Sequence, residues 1–345
     1  MLTFIVRRVL FLPVVFLGVT LIIVLLMLLL SPAERAATFI TSPAQLQNIN
    51  VIIEKYGLDK PWYSQYWRWL DAAFHGNLGY STVARTTVVN AIATRFPRTM
   101  TLALAALFPI GGVGIWLGTA AALNRDKVVD QFTRVLAIVG WSLPTFVLGI
   151  WLLVIFYGGL NWFQPGILTT GDSIRLSNLT ASGAFHNYTG FLILDSIFNG
   201  RFGIFLDFVW HLVLPVITLS AVTSAQIMRV MRSSLLDALG QDYVRTARSK
   251  GLSEHVVNTK HARRNALIPV LTVSGFTIIL LFNGVVITET IFSYPGMGQW
   301  FAAAATQLDY ASVLGGAVFT AMVVVFANLV VDVLYALVDP RIRYD

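Results

Sequence analysis

The sequence predicts an all-α integral membrane protein, a single helical bundle, on three observations. Of its 345 residues 56% are hydrophobic and only 12% charged, against ~25% charged in an ordinary soluble domain. Six apolar runs, at 9–30, 99–123, 133–157, 208–228, 266–288 and 310–337, each approach or exceed the ~20 residues a helix needs to cross a bilayer. Lysine and arginine fall mostly in alternate connections between those runs, the pattern that orients membrane helices.

Taken in order, "MLTFIVRRVLFLPVVFLGVTLIIVLLMLLL" sets Arg7 and Arg8 ahead of its apolar run. That run exceeds the ~7–15 residues of a cleavable signal segment and predicts a retained first span. A long loop follows, over 31–98. Its stretch "EKYGLDKPWYSQYWRWLDAAFHGNLGYS" spaces tryptophan and tyrosine at near-helical intervals, which predicts a helix lying at the headgroup level or a docking surface for an external partner. Prolines 13, 109, 144, 215 and 269 fall inside five of the runs, where they predict kinks within a packed bundle. "GGVGIWLG", residues 111–118, offers small side chains for close helix packing. The segment "GFLILDSIFNGRFGIFLDF" is interrupted by Asp195, Asn199, Gly200 and Arg201 and is expected to lie against the membrane as an incomplete span. The organisation divides into a first span with its loop (1–98) and a five-helix core (99–345) with a basic loop at 229–265.

Orientation follows from counting Lys and Arg. Residues 1–8 hold two, 124–134 three, 229–265 eight and the tail after 338 two, whereas 158–207 holds two and 289–309 none. Both termini and the basic loop are therefore expected in the cytoplasm. Positive charge distributed in this way follows topology, and no nucleic-acid partner is inferred from the +7 balance.

Catalytic and metal-binding patterns are missing from the sequence. It has no G-x-x-x-x-G-K-[ST], H-E-x-x-H or G-x-S-x-G motif and no cysteine. Histidines 75, 186, 211, 255 and 261 are scattered, with His255 and His261 off the i, i+4 spacing of a helical metal site. Neither catalytic nor metal residues are assigned. Ionisable groups within spans, which a self-sufficient secondary transporter would use, are nearly restricted to Asp332 near one end of the last run, with His211 and Glu289 toward the outer surface. Energy for any solute movement must come from elsewhere.

Attention then falls on "DYVRTARSKGLSEHVVNTKHARRN", 242–265. Anionic lipid would account for its charge, but not for Ala247 and Gly251, four apart, which suggest a small-residue notch on a helix ending at Gly251.

This stretch resembles the cytoplasmic coupling segment of permease subunits in ATP-binding-cassette importers. The superfamily pattern is E-A-A-x-x-x-G followed by I-x-L-P. Here Arg245-Thr246-Ala247 precedes Gly251, the glutamate and first alanine are replaced, and Ile268-Pro269 comes late. "DYVRTARSKGLSEHVVNTKHARRNALIPVLT" is similar throughout to the dipeptide/oligopeptide permease branch, as are "YGLDKPWYSQYWRWL" with "GNLGYS", "FPRTMTLALAAL", "HLVLPVITL", "ETIFSYPGMG" and "DVLYALVDPRIRY", in that order.

The resemblance implies six transmembrane helices with a long external loop after the first and a coupling helix between the fourth and fifth. It implies a bacterial or archaeal cytoplasmic membrane, a second homologous permease, two ATPase subunits that hold ATP and Mg, and an external solute-binding protein. No cofactor is expected on this chain. Asp242, Tyr243, Arg245, Thr246, Ala247, Lys250, Gly251 and Leu252 would meet an ATPase subunit. Polar residues in spans, Gln226, Asn283 and Asn328, are candidates for the solute path or for helix–helix hydrogen bonds. Tyr294, Pro295 and Gly296 suit an outer gate or a binding-protein contact. Di- or oligopeptides are the implied cargo, with nickel, glutathione and oligosaccharides as alternatives within the same branch.

Overall fold

A computed structural model describes residues 2–40, 48–282 and 285–338. Helix α1 (Leu2–Met27) is followed by three short helices, α2 (Pro32–Ala36), α3 (Ile49–Tyr56) and α4 (Trp62–Phe74), and by a two-strand hairpin, β1 (Tyr80–Ser81) with β2 (Thr86–Thr87). Next come α5 (Val88–Leu123), α6 (Val128–Ser142), α7 (Thr145–Leu152), α8 (Thr170–Ala181), α9 (Leu192–Phe198) and α10 (Phe202–Leu239). The chain closes with α11 (Asp242–Ser249), α12 (Glu254–Val256), α13 (Arg263–Phe282), α14 (Val286–Ile291), α15 (Met297–Thr306) and α16 (Tyr310–Val338).

Among the described residues four helical stretches are long and apolar enough to cross a membrane: α5, α10, the run from α12 through α13, and α16. The run expected as one span at 133–157 is instead a bent pair, α6 and α7 with its π-helical extension, meeting at 99° and able to serve as a fifth. Pro144 is the cause. It forces Leu143 into extended backbone (φ −79°, ψ 120°). The prolines of α5, α10 and α13 stay inside continuous helices. Residues 190–208 form no span of their own, since α9 ends at Phe198 and Gly200 takes φ +65° before α10 begins.

Two helices outrun the apolar stretches that predict them. The Thr87 hydroxyl caps the N-terminus of α5 by accepting from Asn90 N–H at 3.3 Å, so the helix starts eleven residues before its apolar run. At ~1.5 Å per residue, its 36 residues span about 54 Å, well beyond a ~30 Å hydrocarbon core. Helix α10 continues through "RVMRSSLLDAL", taking a third of the expected basic loop, because nothing in it breaks a helix before Gly240.

Helices α5 and α10 form the centre of the bundle and run parallel. Their close approach comes from two of the expected small residues: a Cβ at Gly114 would lie 2.7 Å from Ile227 Cγ2, and one at Gly118 would lie 2.7 Å from the Met228 carbonyl oxygen. Gly111 and Gly112 meet nothing within 4 Å. A main core of Leu102, Ile110, Phe208, Ile227, Met231 and Val270 joins α5, α10 and α13. A separate core packs Val24, Met27, Ile52 and Trp69 against Val318 of α16. That second core fixes the tryptophan-rich helix: α4 buries Tyr66, Trp69 and Leu70 and leaves Trp62, Tyr63, Trp67 and Phe74 exposed.

Candidate functional site

The basic stretch folds into an elbow seated on the end of α10. Helix α11 is short and two-faced. Val244 and Ala247, three apart, point inward and share one buried cluster with Leu235, Ala238, Val257 and Ala262. Outward it shows Asp242, Tyr243, Arg245, Thr246, Arg248 and Ser249. The helix ends in a Schellman motif: Gly251 N–H donates to Arg248 O at 2.9 Å and Leu252 N–H to Ala247 O at 3.4 Å. This closure requires φ +76° at Gly251, the left-handed region that glycine enters freely. Across the reversal the Arg248 guanidinium donates to both carboxylate oxygens of Glu254, at 2.8 and 3.3 Å, tying α11 to α12. A π-helical turn, Val257–Ala262, then carries the chain into α13.

This geometry corrects the expected notch. Ala247 is small because it packs into its own chain's core, at 5% exposure. Gly251 is glycine for its backbone angle, and a Cβ there would meet nothing within 4 Å. The surface available to a partner is therefore the polar face of α11 with Tyr243, plus Lys250 and Leu252 beside it. The end of the helix at Gly251 is as the sequence predicts.

At the far end of α13 from the elbow, "ETIFSYPGMG" closes into a buried knot. Glu289 has no exposed surface. Its carboxylate accepts from Thr99 Oγ1 at 2.6 Å, from Gln299 N–H at 2.9 Å and from the Gly298 N–H, while Thr99 Oγ1 accepts from Met297 N–H at 2.8 Å. Burial pushes this carboxyl up from its ordinary range, and the three donors partly offset the shift. Tyr294 is equally buried and donates its hydroxyl to Arg98 O at 2.8 Å. The Arg98 guanidinium returns a bond to Pro295 O at 3.3 Å. A Cβ at Gly298 would sit 2.7 Å from the Val286 backbone, so the knot tolerates no side chain there.

Tyr294 and Gly296 thus offer no surface to an external protein, and of the three expected residues Pro295 alone is partly exposed. Glu289, expected toward the outer end of its span, is buried there as the centre of the knot. A second buried carboxylate, Asp309, accepts from Ser81 Oγ at 2.9 Å and Val83 N–H at 3.0 Å. It pins the hairpin beside "GNLGYS" to the start of α16 and takes Ser312 N–H at 3.1 Å.

Known sequences resolve what such a chain is. A family model described as the binding-protein-dependent transport system inner membrane component matches residues 114–344, and the N-terminal model of the same systems matches 1–103. The chain belongs to that family. It is 40% identical over 344 residues to the di/tripeptide transport system permease protein DppB of Pseudomonas aeruginosa, covering 100% of this chain and 99% of that one. It is 38% identical over 293 residues to the dipeptide transport system permease protein DppB of Escherichia coli K12, covering 85% and 84%. Identity is 34% over 345 residues, the full length of both chains, to the oligopeptide transport system permease protein AppB of Bacillus subtilis.

Within this inner-membrane family member the polar span residues are not gathered into a site. Gln226 lies half-buried on α10 and Asn328 half-buried on α16, and neither lines the described cavities of about 530 and about 470 Å³. Asn283 lies outside the described residues. Sequence reasoning missed a group at the elbow end: Asp130, fully buried in the first turn of α6, binds Arg232 of α10. Two residues of opposite charge 102 positions apart leave no local pattern to read.

Proposed function

We propose that this chain is one transmembrane permease subunit of an ATP-driven importer of di- or oligopeptides, spanning the membrane six times with both termini in the cytoplasm. The six spans are α1, α5, the bent α6–α7 pair, α10, the α12–α13 run and α16. A second homologous permease completes the solute path, two cytoplasmic ATPase subunits hold ATP and Mg, and an external binding protein delivers the peptide. No cofactor resides on this subunit, and it hydrolyses no ATP itself. Full-length similarity to permeases named for peptides carries the reading, and the elbow supports it physically.

Binding of ATP can bias the permease only through contacts that differ between its conformations. Asp242, Tyr243, Arg245, Thr246, Lys250 and Leu252 supply the contact face on the ATPase. Ala247 and Gly251 act indirectly, one by seating α11 and the other by turning the chain. Because the elbow's inner face belongs to the same core as α5, α10 and α13, a push on α11 moves these helices rather than a loose loop. Gln226, Asn283 and Asn328 contribute to the path, and the knot around Tyr294, Pro295 and Gly296 holds the outer side shut.

Reconstitution with both partner subunit types and the binding protein in vesicles tests this. Labelled dipeptide should accumulate only with ATP, Mg and binding protein together, and this chain alone should show no ATP hydrolysis. Accumulation independent of ATP would overturn the importer reading.

A further inference from the structure

Helix α6 is attached to α10 in a way unlike the α5–α10 seam. Where α5 meets α10, leucine, isoleucine and methionine interlock. The buried residues of α6 are only Asp130, Thr133 and Ala137. Polar and close backbone contacts hold it instead. Arg232 donates Nε to Asp130 Oδ1 at 2.6 Å and Nη2 to Oδ2 at 2.8 Å, a two-pronged clasp. One turn earlier on α10, Arg229 lies 4.6 Å over the Trp141 ring. At Gly140 a Cβ would stand 2.9 Å from the Ala221 carbonyl oxygen and 3.3 Å from Ala225 Cβ.

The clasp also has a spare partner. Arg134 donates Nη2 to Asp130 Oδ2 at 2.8 Å, and Asp126 N–H donates to the same oxygen at 2.9 Å. Withdrawal of Arg232 would therefore leave the buried carboxylate still paired, which removes the main penalty for opening a buried ion pair. Arg232, 22% exposed, can reach water on leaving. Arg134 in turn keeps a second acceptor, Asp126 Oδ1 at 3.0 Å.

Position gives the clasp its use. Arg232 stands beside Met231 and two turns before the end of α10, on the stem that bears the elbow. Asp130 begins the helix that leads into the 99° bend at Leu143–Pro144. We propose that Asp130–Arg232 is a releasable clasp, closed in this conformation and open in the other, through which movement of the elbow frees or holds the bent α6–α7 span. Arg232 is a positioning residue for transport, acting through Asp130. The inference rests on the importer reading, and a seam with little apolar burial is the one that parts at least cost.

Variants at Arg232 test it in the reconstituted importer. Arg232→Met should assemble with its partners in normal amount yet move about ten-fold less peptide per ATP hydrolysed, with Arg232→Lys, which keeps the charge but not the two-pronged fork, between it and wild type. An unchanged transport ratio in Arg232→Met overturns the proposal, as does loss of assembly in that variant, which identifies a static brace. Failure of ATP-dependent uptake by the wild-type complex would instead sink the importer reading.

Discussion

Two segments of the molecule, the elbow helix α11 and the knot, treat charge in opposite ways. At the elbow the ionised groups of α11 face solvent, and the inward positions are Val244 and Ala247. At the knot the carboxylates turn inward: Glu289 and Asp309 are buried and surrounded by hydroxyl and backbone donors. A polar surface on an apolar seat can engage and release a partner without disturbing its own fold. Buried carboxylates that satisfy several donors instead tie separate segments into one rigid piece. The difference teaches that α11 keeps its charged side chains in solvent over an apolar seat, whereas "ETIFSYPGMG" is knitted into the fold through its polar groups.

The sharpest way to break the comparison is at Glu289. Glu289→Ala strands Thr99 and the Gln299 and Gly298 N–H groups without their acceptor, and three unsatisfied donors should lower stability by on the order of 3 kcal/mol or more. The thermal midpoint of the detergent-solubilised chain should fall accordingly. Glu289 also gives the knot a pH signature. Its folded-state pKa is raised above the ordinary glutamate range, chiefly by burial. The cost of ionising it is absent below the unfolded pKa and appears as pH rises from there toward the folded one. Wild-type thermal stability should therefore decline across that window, and Glu289→Gln should flatten the decline. A wild-type midpoint that rises over the same window would contradict the buried-carboxylate account.

Smaller effects are expected at the elbow's seat. Ala247→Arg forces a long charged side chain into the cluster of Val244 and Val257, a local overpacking of ~1–3 kcal/mol, and Gly251→Val puts a β-branched residue at positive φ, at roughly 1–2 kcal/mol. Both should loosen α11 itself, seen as faster amide exchange over 242–252, and should weaken capture of ATPase subunits as a consequence. Normal exchange combined with lost capture would restore the notch. The smallest effect on stability belongs to the outward face. Tyr243→Ala and Arg245→Ala should shift the thermal midpoint by no more than ~0.5 kcal/mol equivalent while still reducing ATPase capture, and unchanged capture would remove them from the contact.

Much of this was legible in one dimension. Hydrophobic run length announces membrane helices because an unpaired backbone is intolerable in hydrocarbon. Gly114 and Gly118 announce a close crossing because their spacing is that of one helix face. A glycine after "TARSK" announces a helix end. Such signals are local, repeated every turn or fixed by a single backbone angle. Pro144 was equally visible, but whether a proline bends a span or is absorbed depends on whether neighbours re-satisfy the freed carbonyls; α5, α10 and α13 absorb theirs and α6–α7 does not.

By itself, the sequence determined that this chain lies in a membrane, where its basic elbow falls, and that α11 stops at Gly251. Only the tertiary structure decided which way the small residues face and which charges are buried. Ala247 reads alike as a notch for a partner or a seat for its own helix, since a methyl group carries no direction in sequence. Glu289 reads as a polar end of a span until Thr99, Gln299 and Gly298 converge on it. Asp130 and Arg232 meet only because α6 packs beside α10. Burial and pairing depend on what surrounds a residue in space, and segments as far as 228 positions apart in the chain supply those surroundings here.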